Sequence, residues 1–203
     1  MRNRLVRFIV SPFLLAFLIV GYQSARSRPL HPTAAAQPGG AFSLSVDATD
    51  GSLLKAHRGL FRSTDHGRTW SAFPIPAVFH PDMFDQVATS PAAPASLYAA
   101  GIGAGVIRSD DRGRTWRPIH TGLPGLEVAA FAVHSFRPDT IYALIAGRGL
   151  FRTEDGGGRW QKMDGGPPAP IAALAHSPLE GSMNTGWLYA ATPQGPYISM
   201  DCF

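Results

Sequence analysis

Four aspartates recur along the chain at nearly constant spacing, and each stands two residues after a serine or threonine. The aspartates lie 46, 44 and 46 residues apart. A carboxylate beside a hydroxyl could in principle serve as an acid, a base or a nucleophile. An active site, however, gathers different groups at one point, whereas equivalent residues of successive repeats occupy separate places. We therefore predict a structural role for the aspartates and the hydroxyls: Asp65, Asp111, Asp155 and Asp201, with Ser63, Ser109, Thr153 and Ser199.

Three arginines follow the same repeat. Arg62, Arg108 and Arg152 each directly precede the serine or threonine, and Ile198 takes this place in the fourth copy. An arginine cluster could bind an anionic ligand. Since the three residues are equivalent members of successive repeats, we expect them to be structural as well.

The segment around each aspartate predicts a tight hairpin. Apolar residues lead into Ser/Thr-x-Asp-x-Gly, a turn pattern, and a tryptophan follows as the next strand begins. The glycine can adopt the positive φ that such turns need, and the tryptophan offers a large apolar plate for packing between units. The remaining residues of this pattern are Gly67, Thr69, Trp70, Gly113, Thr115, Trp116, Gly157 and Trp160.

Each repeat also carries two further short apolar segments before the hairpin, so that one unit offers four antiparallel strands every 44 to 46 residues. This arrangement is typical of a β-propeller blade. We predict an all-β, partial β-propeller of about three and a half four-stranded blades, within a domain at residues 41–203. The predicted blades are 42–73, 85–119, 128–163 and 171–203. An open arc would expose two sheet faces and an unpaired edge, which favours self-association.

The hairpin segments resemble the BNR, or Asp-box, repeats of sialidases, xyloglucan-cleaving glycosidases, sortilin-type luminal domains and photosystem II assembly and stability factors. The pattern S-x-D-x-G-x-T-W is complete in the first two copies. The third copy has Thr153 for serine and Arg159 for threonine, and the fourth ends at Phe203 without the glycine and tryptophan. The resemblance implies a β-propeller fold. It implies no single activity, because the repeat occurs in enzymes and in non-enzymes, and the Phe/Tyr-Arg-Ile-Pro motif of sialidases is absent.

The N-terminal region has a different composition. Three arginines precede an apolar run of thirteen residues, Phe8 to Val20, which is short for the roughly twenty residues of a membrane span. Residues 1–22 are therefore predicted to be a hydrophobic helix acting as a signal peptide, or as a signal anchor through residues 8–22, and residues 23–40 a flexible Pro/Ala-rich linker. We expect export to a periplasmic or extracellular location, with membrane contact through this segment only.

Charge and cysteine content limit the partners. Five arginines and no acids lie before residue 29, so the rest of the chain has 13 basic and 14 acidic residues. This near balance argues against a nucleic-acid partner. The chain has one cysteine, Cys202, and so cannot form an intrachain disulfide.

Non-repeated polar residues on the predicted connections between strands are the candidates for a ligand-binding face. They are His80, His120, Arg148 and Asp164. Asp82 and Glu127, on neighbouring loops, form the one pair of acids that could support glycoside hydrolysis, which needs two carboxylates about 5–5.5 Å or about 6.5–9.5 Å apart. The histidines His80, His120, His134 and His176 lack the close spacing of metal motifs, so we expect no metal. No sequence feature indicates a cofactor.

Two functions follow from these features. We favour an exported, non-catalytic propeller module that binds a protein or glycan surface, because the repeated residues are structural and short loops leave little room for a deep pocket. The alternative is a fragment of a glycoside hydrolase of the sialidase-like or xyloglucanase-like kind.

Overall fold

A computed structural model describes residues 42–179 and 186–199 of the chain. The predicted N-terminal helix, the linker, Asp201 and Cys202 lie outside these residues. Within them the fold is all-β, with a single short 3-10 helix, Pro81–Met83. No helix in the described part of the chain has the length and apolarity needed to cross a membrane.

The strands form four separate antiparallel sheets, each a meander of strands consecutive in sequence. The first sheet contains β1 (Ser43–Val46), β2 (Leu53–Ala56), β3 (Leu60–Ser63) and β4 (Ser71–Ala72). The second contains β5 (Gln86–Thr89), β6 (Leu97–Gly101), β7 (Gly105–Ser109) and β8 (Arg117–Pro118). The third contains β9 (Val128–Val133), β10 (Ile141–Ile145), β11 (Gly149–Thr153) and β12 (Gln161–Lys162), and the fourth contains β13 (Ala173–Ser177), β14 (Trp187–Thr192) and β15 (Gly195–Ser199).

Three four-stranded sheets and a fourth with three described strands confirm the predicted partial propeller of about three and a half blades. The register repeats from sheet to sheet. In each sheet the hydroxyl residue of the Asp-box, at the end of the third strand, stands opposite the same position of the second strand. These pairs are Leu53 with Ser63, Leu97 with Ser109, Ile141 with Thr153, and Leu188 with Ser199. Side chains alternate between the two faces of a strand, so equivalent residues point to equivalent neighbours.

The hydrophobic core lies between the sheets. Leu54 and Leu60 of the first sheet pack with Leu97 and Trp116 of the second in one buried cluster. Tyr98 of the second sheet packs with residues of the third in another, and Tyr142 and Leu150 of the third pack with Leu188 of the fourth. Burying a large apolar side chain contributes about 1.5–3 kcal/mol. Each sheet is therefore held mainly by its neighbours in the sequence.

The outward face of the first sheet is exposed. Phe42, Leu44 and Val46 are 62%, 57% and 54% exposed. Lys55 lies on the same face, and its Nζ stands 4.4 Å from the centre of the Trp70 ring and 5.0 Å from that of Phe61. The equivalent residues of the other sheets, Ala99, Ala143 and Ala190, are completely buried. The first sheet thus has a charged side chain at the position where the other three sheets have a buried alanine.

Candidate functional site

The first Asp-box is closed by its own side chains. Ser63 Oγ donates a hydrogen bond to Asp65 Oδ1 (2.7 Å) and accepts one from the Gly67 amide (2.8 Å). The same carboxylate accepts the Thr69 amide (2.9 Å) and the Thr69 hydroxyl (2.6 Å). The aspartate therefore links the end of β3 to the segment that precedes β4. Its carboxylate oxygens have little remaining capacity to accept hydrogen bonds from another partner.

The second Asp-box repeats this geometry, and the third repeats part of it. Asp111 accepts the Thr115 hydroxyl at 2.6 Å and the Thr115 amide at 2.8 Å. In the third copy Asp155 accepts the Thr153 hydroxyl (2.7 Å) and the Arg159 amide (2.9 Å), and the hydroxyl bond of the lost threonine is missing. The carboxylates thus remain at separate corners, one to a sheet.

These hydrogen bonds stabilise the ionised carboxylates. The Thr69 hydroxyl, followed by the Thr69 amide and the Ser63 hydroxyl, lowers the pKa of Asp65 to about 2. The Thr115 hydroxyl is the largest of the same causes that lower the pKa of Asp111 to about 2. The Thr153 hydroxyl lowers the pKa of Asp155 below its ordinary value. A general acid must hold a proton near neutral pH, which these carboxylates do not.

The turn itself places two successive residues at positive φ. His66 and Gly67 have φ of 60° and 86°, and Arg112 and Gly113 have 62° and 87°. In the third copy both positions are glycine, Gly156 and Gly157. The glycine of the pattern faces the preceding sheet: a Cβ on Gly113 would lie 2.3 Å from the Phe73 ring, and one on Gly157 would lie 2.3 Å from the Ile119 carbonyl oxygen.

The three repeated arginines pair with nearby acids. Arg62 contacts Asp47 Oδ2 (2.7 Å) and Asp50 Oδ2 (2.8 Å). Arg108 reaches Asp110 of its own sheet and Asp139 of the next, and Arg152 lies 3.1 Å from Glu154. The guanidinium groups belong to different sheets and bind different acids. They do not meet at one anion site.

The six candidate residues lie on four connections between strands: β4–β5, β8–β9, β10–β11 and β12–β13. His80 Nδ1 lies 3.6 Å from Asp82 Oδ2, with the two side chains 69% and 62% exposed. This is the only polar approach within 4 Å between two of the six side chains, all of which belong to the described residues. His120 Nδ1 lies 3.2 Å from the Val106 carbonyl oxygen, and Glu127 forms a backbone bridge with Ile102. Glu127, Arg148 and Asp164 are exposed.

Two open cavities accompany the sheets. One, of about 410 Å³, is lined by the first strand of each sheet, β1, β5, β9 and β13. Gln86, Phe131 and His176 are among its lining residues. The other, of about 500 Å³, lies between the β10–β11 turn and the connection that carries Asp164, and Met163 and Pro170 line it. The second brings one predicted ligand-face residue, Asp164, to a concave surface of mixed polar and apolar character. Among the described residues no group of three His, Cys, Asp or Glu side chains could hold a metal ion.

Sequence spacing alone did not reveal one close pair of titratable groups. The rings of His134 and His176 stack with their centres 4.0 Å apart and their planes at 29°. Burial lowers the pKa of His176 to about 4, with a further contribution from His134, and burial also lowers the pKa of His134. The two residues are 42 apart, close to one repeat. A separation of one repeat, which places residues on neighbouring sheets, is the signal that could have found them.

Comparisons with known proteins agree with this architecture. A model of the BNR/Asp-box repeat matches residues 61–72. No curated protein sequence matches the chain. Among solved structures, the GH74 xyloglucanase from Xanthomonas campestris has a TM-score of 0.61 at 22% identity, over 81% of this chain and 30% of that one.

Two other solved structures are similar over most of the chain. The extracellular domain of a protein from B. thetaiotaomicron, named as a one component system, has a TM-score of 0.56 at 15% identity, over 81% of this chain and 21% of that one. YCF48 from Cyanidioschyzon merolae has a TM-score of 0.50 at 16% identity, over 81% of this chain and 58% of that one. The chain thus spans less than a third of the xyloglucanase. At these identities the similarity establishes the fold.

Proposed function

Because the chain is a β-propeller of BNR/Asp-box repeats, we propose that it is an exported, non-catalytic module that binds a protein or glycan surface through the face carrying the strand connections. The binding residues are Arg148 and Asp164, with His80 and His120 on neighbouring loops. The module acts in the periplasm or outside the cell.

The observation that supports this proposal most directly is the state of the repeated aspartates. Asp65, Asp111 and Asp155 each accept hydrogen bonds within their own box, and those of Asp65 and Asp111 hold the carboxyl pKa at about 2. A glycosidase instead needs one carboxyl group with a raised pKa beside a second carboxylate. The repeated acids therefore favour a structural role, and the exposed connections are left to recognise a partner.

The cavity beside Asp164 supports the position of the binding face. It combines Met163, Pro170 and other apolar residues with one carboxylate, and Arg148 stands at the adjacent turn. Shallow apolar surface with a few charged groups at its edge is suited to a partner that covers it, such as a peptide or a sugar chain. The extracellular location of a similar domain is consistent with export.

Binding can be measured with the full chain on a glycan array that includes xyloglucan and on a peptide array. We expect a signal on one array that falls at least tenfold in the double variant Arg148→Ala/Asp164→Ala. Both side chains are exposed, so the fold should tolerate the change. Arg117→Ala, on the outermost strand of the second sheet, is the matched control. Equal loss in the control, or no signal on either array, would contradict the proposal.

The glycoside hydrolase alternative is tested with the same protein. Release of reducing ends from xyloglucan, or of the aryl group from aryl glycosides, would contradict a non-catalytic role if Asp82→Asn or Glu127→Gln abolished it. We expect no such release above that of buffer.

A further inference from the structure

The stacked histidines lie where the third sheet meets the fourth. His134 directly follows β9, and His176 lies within β13. Tyr142 of β10 lies parallel to the His176 ring, at an angle of 4° and a distance of 6.3 Å between ring centres. The three rings form a stack at the contact between the two sheets, beside the buried cluster that includes Leu150 and Leu188.

Backbone amides fix which ring nitrogens carry hydrogen. His134 Nδ1 accepts the amides of Phe136 (3.1 Å) and Arg137 (3.2 Å). His176 Nδ1 accepts the Ser135 amide at 3.1 Å. A protonated imidazole carries hydrogen on both nitrogens and cannot accept. Uptake of a proton by either ring would therefore set two N–H groups against each other and break these bonds.

Within the described residues no carboxylate compensates a positive charge on the two rings, and the one acceptor beside His176 Nδ1 is the uncharged Ser135 hydroxyl oxygen at 3.0 Å. On the loop after β9, the Arg137 guanidinium opposes protonation of His134 and lowers its pKa. The one carboxylate on that loop, Asp139, is bound by Arg108 of the second sheet. β10 contributes the Tyr142 phenol, and β13 contributes no ionisable group besides His176. Within the described part of the chain neither ring pairs with a carboxylate, and His176 Nε2 is buried without a partner.

The equivalent contacts between the other sheets are made by hydroxyl groups. Between the first and second sheets, Ser45 Oγ and Thr89 Oγ1 share a hydrogen bond of 3.2 Å. Between the second and third, Ser90 Oγ donates to the His134 carbonyl oxygen at 3.1 Å. Hydroxyl groups remain neutral across the physiological range, so the ring stack is the sensitive contact of the three.

We propose that His134 and His176 form an acid-sensitive latch, which holds the fourth sheet on the third while both rings are neutral and releases it when they are protonated. Release is local, because the first three sheets keep their hydroxyl contacts and their own clusters of buried side chains.

The direction of the pH effect follows from proton linkage. A histidine in the opened state has a pKa near ~6.5, above that of the closed state, so the opened state binds more protons. The closed contact is therefore complete above about pH 6.5 and weakens as the pH falls toward about 4. For His176 alone, with allowance for its partial exposure, the equilibrium constant for opening should rise about tenfold to thirtyfold between pH 7.5 and pH 5.

Hydrogen exchange of the full chain at the two pH values, corrected for intrinsic rates, tests the latch. We expect β13 and residues 134–137 to lose about tenfold or more of their protection at pH 5, while β1 and β5 keep theirs. In the double variant His134→Asn/His176→Asn this loss should vanish, because asparagine Oδ1 can accept the same amides but does not titrate. His66→Asn, at an exposed turn, is the matched control and should behave as the native chain does.

Uniform loss of protection in all four sheets, or its persistence in the double variant, would refute the latch. If the double variant fails to fold, NMR titration of the ring protons in the native chain decides the question. A His176 that titrates with an ordinary pKa near ~6.5 would overturn the proposal.

Discussion

A methyl group added at the glycine of each Asp-box tests whether the boxes pack against the preceding sheet. Gly67 and Gly113 have almost the same φ, 86° and 87°, at the same position of the repeat. A Cβ on Gly67 would meet its nearest atoms, in Leu53 and Trp70, at 3.6 Å, an ordinary contact. A Cβ on Gly113 would lie 2.3 Å from the Phe73 ring of the preceding unit. The two alanine variants therefore share the backbone strain and differ in the overlap.

The free energies can be ranked from these distances. Alanine at positive φ costs about 1–2 kcal/mol, and the loss of glycine freedom in the unfolded chain returns about 0.4–1 kcal/mol, so Gly67→Ala should destabilise by about 1 kcal/mol. Overpacking adds about 1–3 kcal/mol, which predicts about 2–4 kcal/mol for Gly113→Ala. Gly157→Ala should cost at least as much, because its Cβ meets the Ile119 carbonyl oxygen, which also accepts the Trp160 indole N–H at 2.9 Å.

Urea denaturation of the three variants, monitored by tryptophan fluorescence, measures the differences. We expect the transition midpoint to fall in the order Gly67→Ala, Gly113→Ala, Gly157→Ala with little change in the slope, since the surface exposed on unfolding is nearly the same. Equal destabilisation by Gly67→Ala and Gly113→Ala would refute the reasoning. It would mean that φ strain alone sets the cost and that the second box does not press against Phe73.

Two further predictions concern the first sheet. Thr69→Val removes the largest cause of the lowered pKa of Asp65, so a carboxyl NMR titration should show that pKa rising from about 2 toward that of Asp155, whose box lacks this threonine; an unchanged pKa would contradict the assigned hydrogen bonds. Lys55→Ala gives the exposed face of the first sheet the residue found at the buried equivalents Ala99, Ala143 and Ala190, so sedimentation velocity should show more self-association than in the native chain, whereas Arg68→Ala at an exposed turn should show no change.

The repeat pattern was sufficient to predict the hairpins, the four-stranded units and the all-β class. This worked because each Asp-box is a local structure: Ser63, Asp65 and Thr69 form their hydrogen bonds within seven residues of sequence. The structural interpretation of the arginines had the same basis, since equivalence in sequence places them on different sheets. The four sheets, from β1 to β15, recur with the same period as the Asp-boxes, which lie 44 to 46 residues apart.

Contacts between sheets were not predictable in the same way. Arg112 of the second box binds Asp47 and Asp50 of the first sheet, 65 and 62 residues away, and nothing in the local sequence specifies these partners. The stacking of His134 on His176 likewise depends on the register between neighbouring sheets. The histidine contact becomes visible when residues about one repeat apart are compared as neighbours in space, whereas the Arg112 contacts, 62 and 65 residues apart, do not follow the period.

Residues that depart from the repeat make one interface between sheets differ from another. A residue shared by all units cannot do so, because it is the same at every interface. Lys55 replaces a buried alanine on the first sheet, whose outer face is exposed, and a charged group there opposes association through that face. His176 of the fourth sheet occupies the position that Thr89 holds in the second sheet and Val133 in the third. A histidine therefore stands at this position only where the fourth sheet meets the third. Each departure changes one property of one interface, solubility in the first case and response to acid in the second.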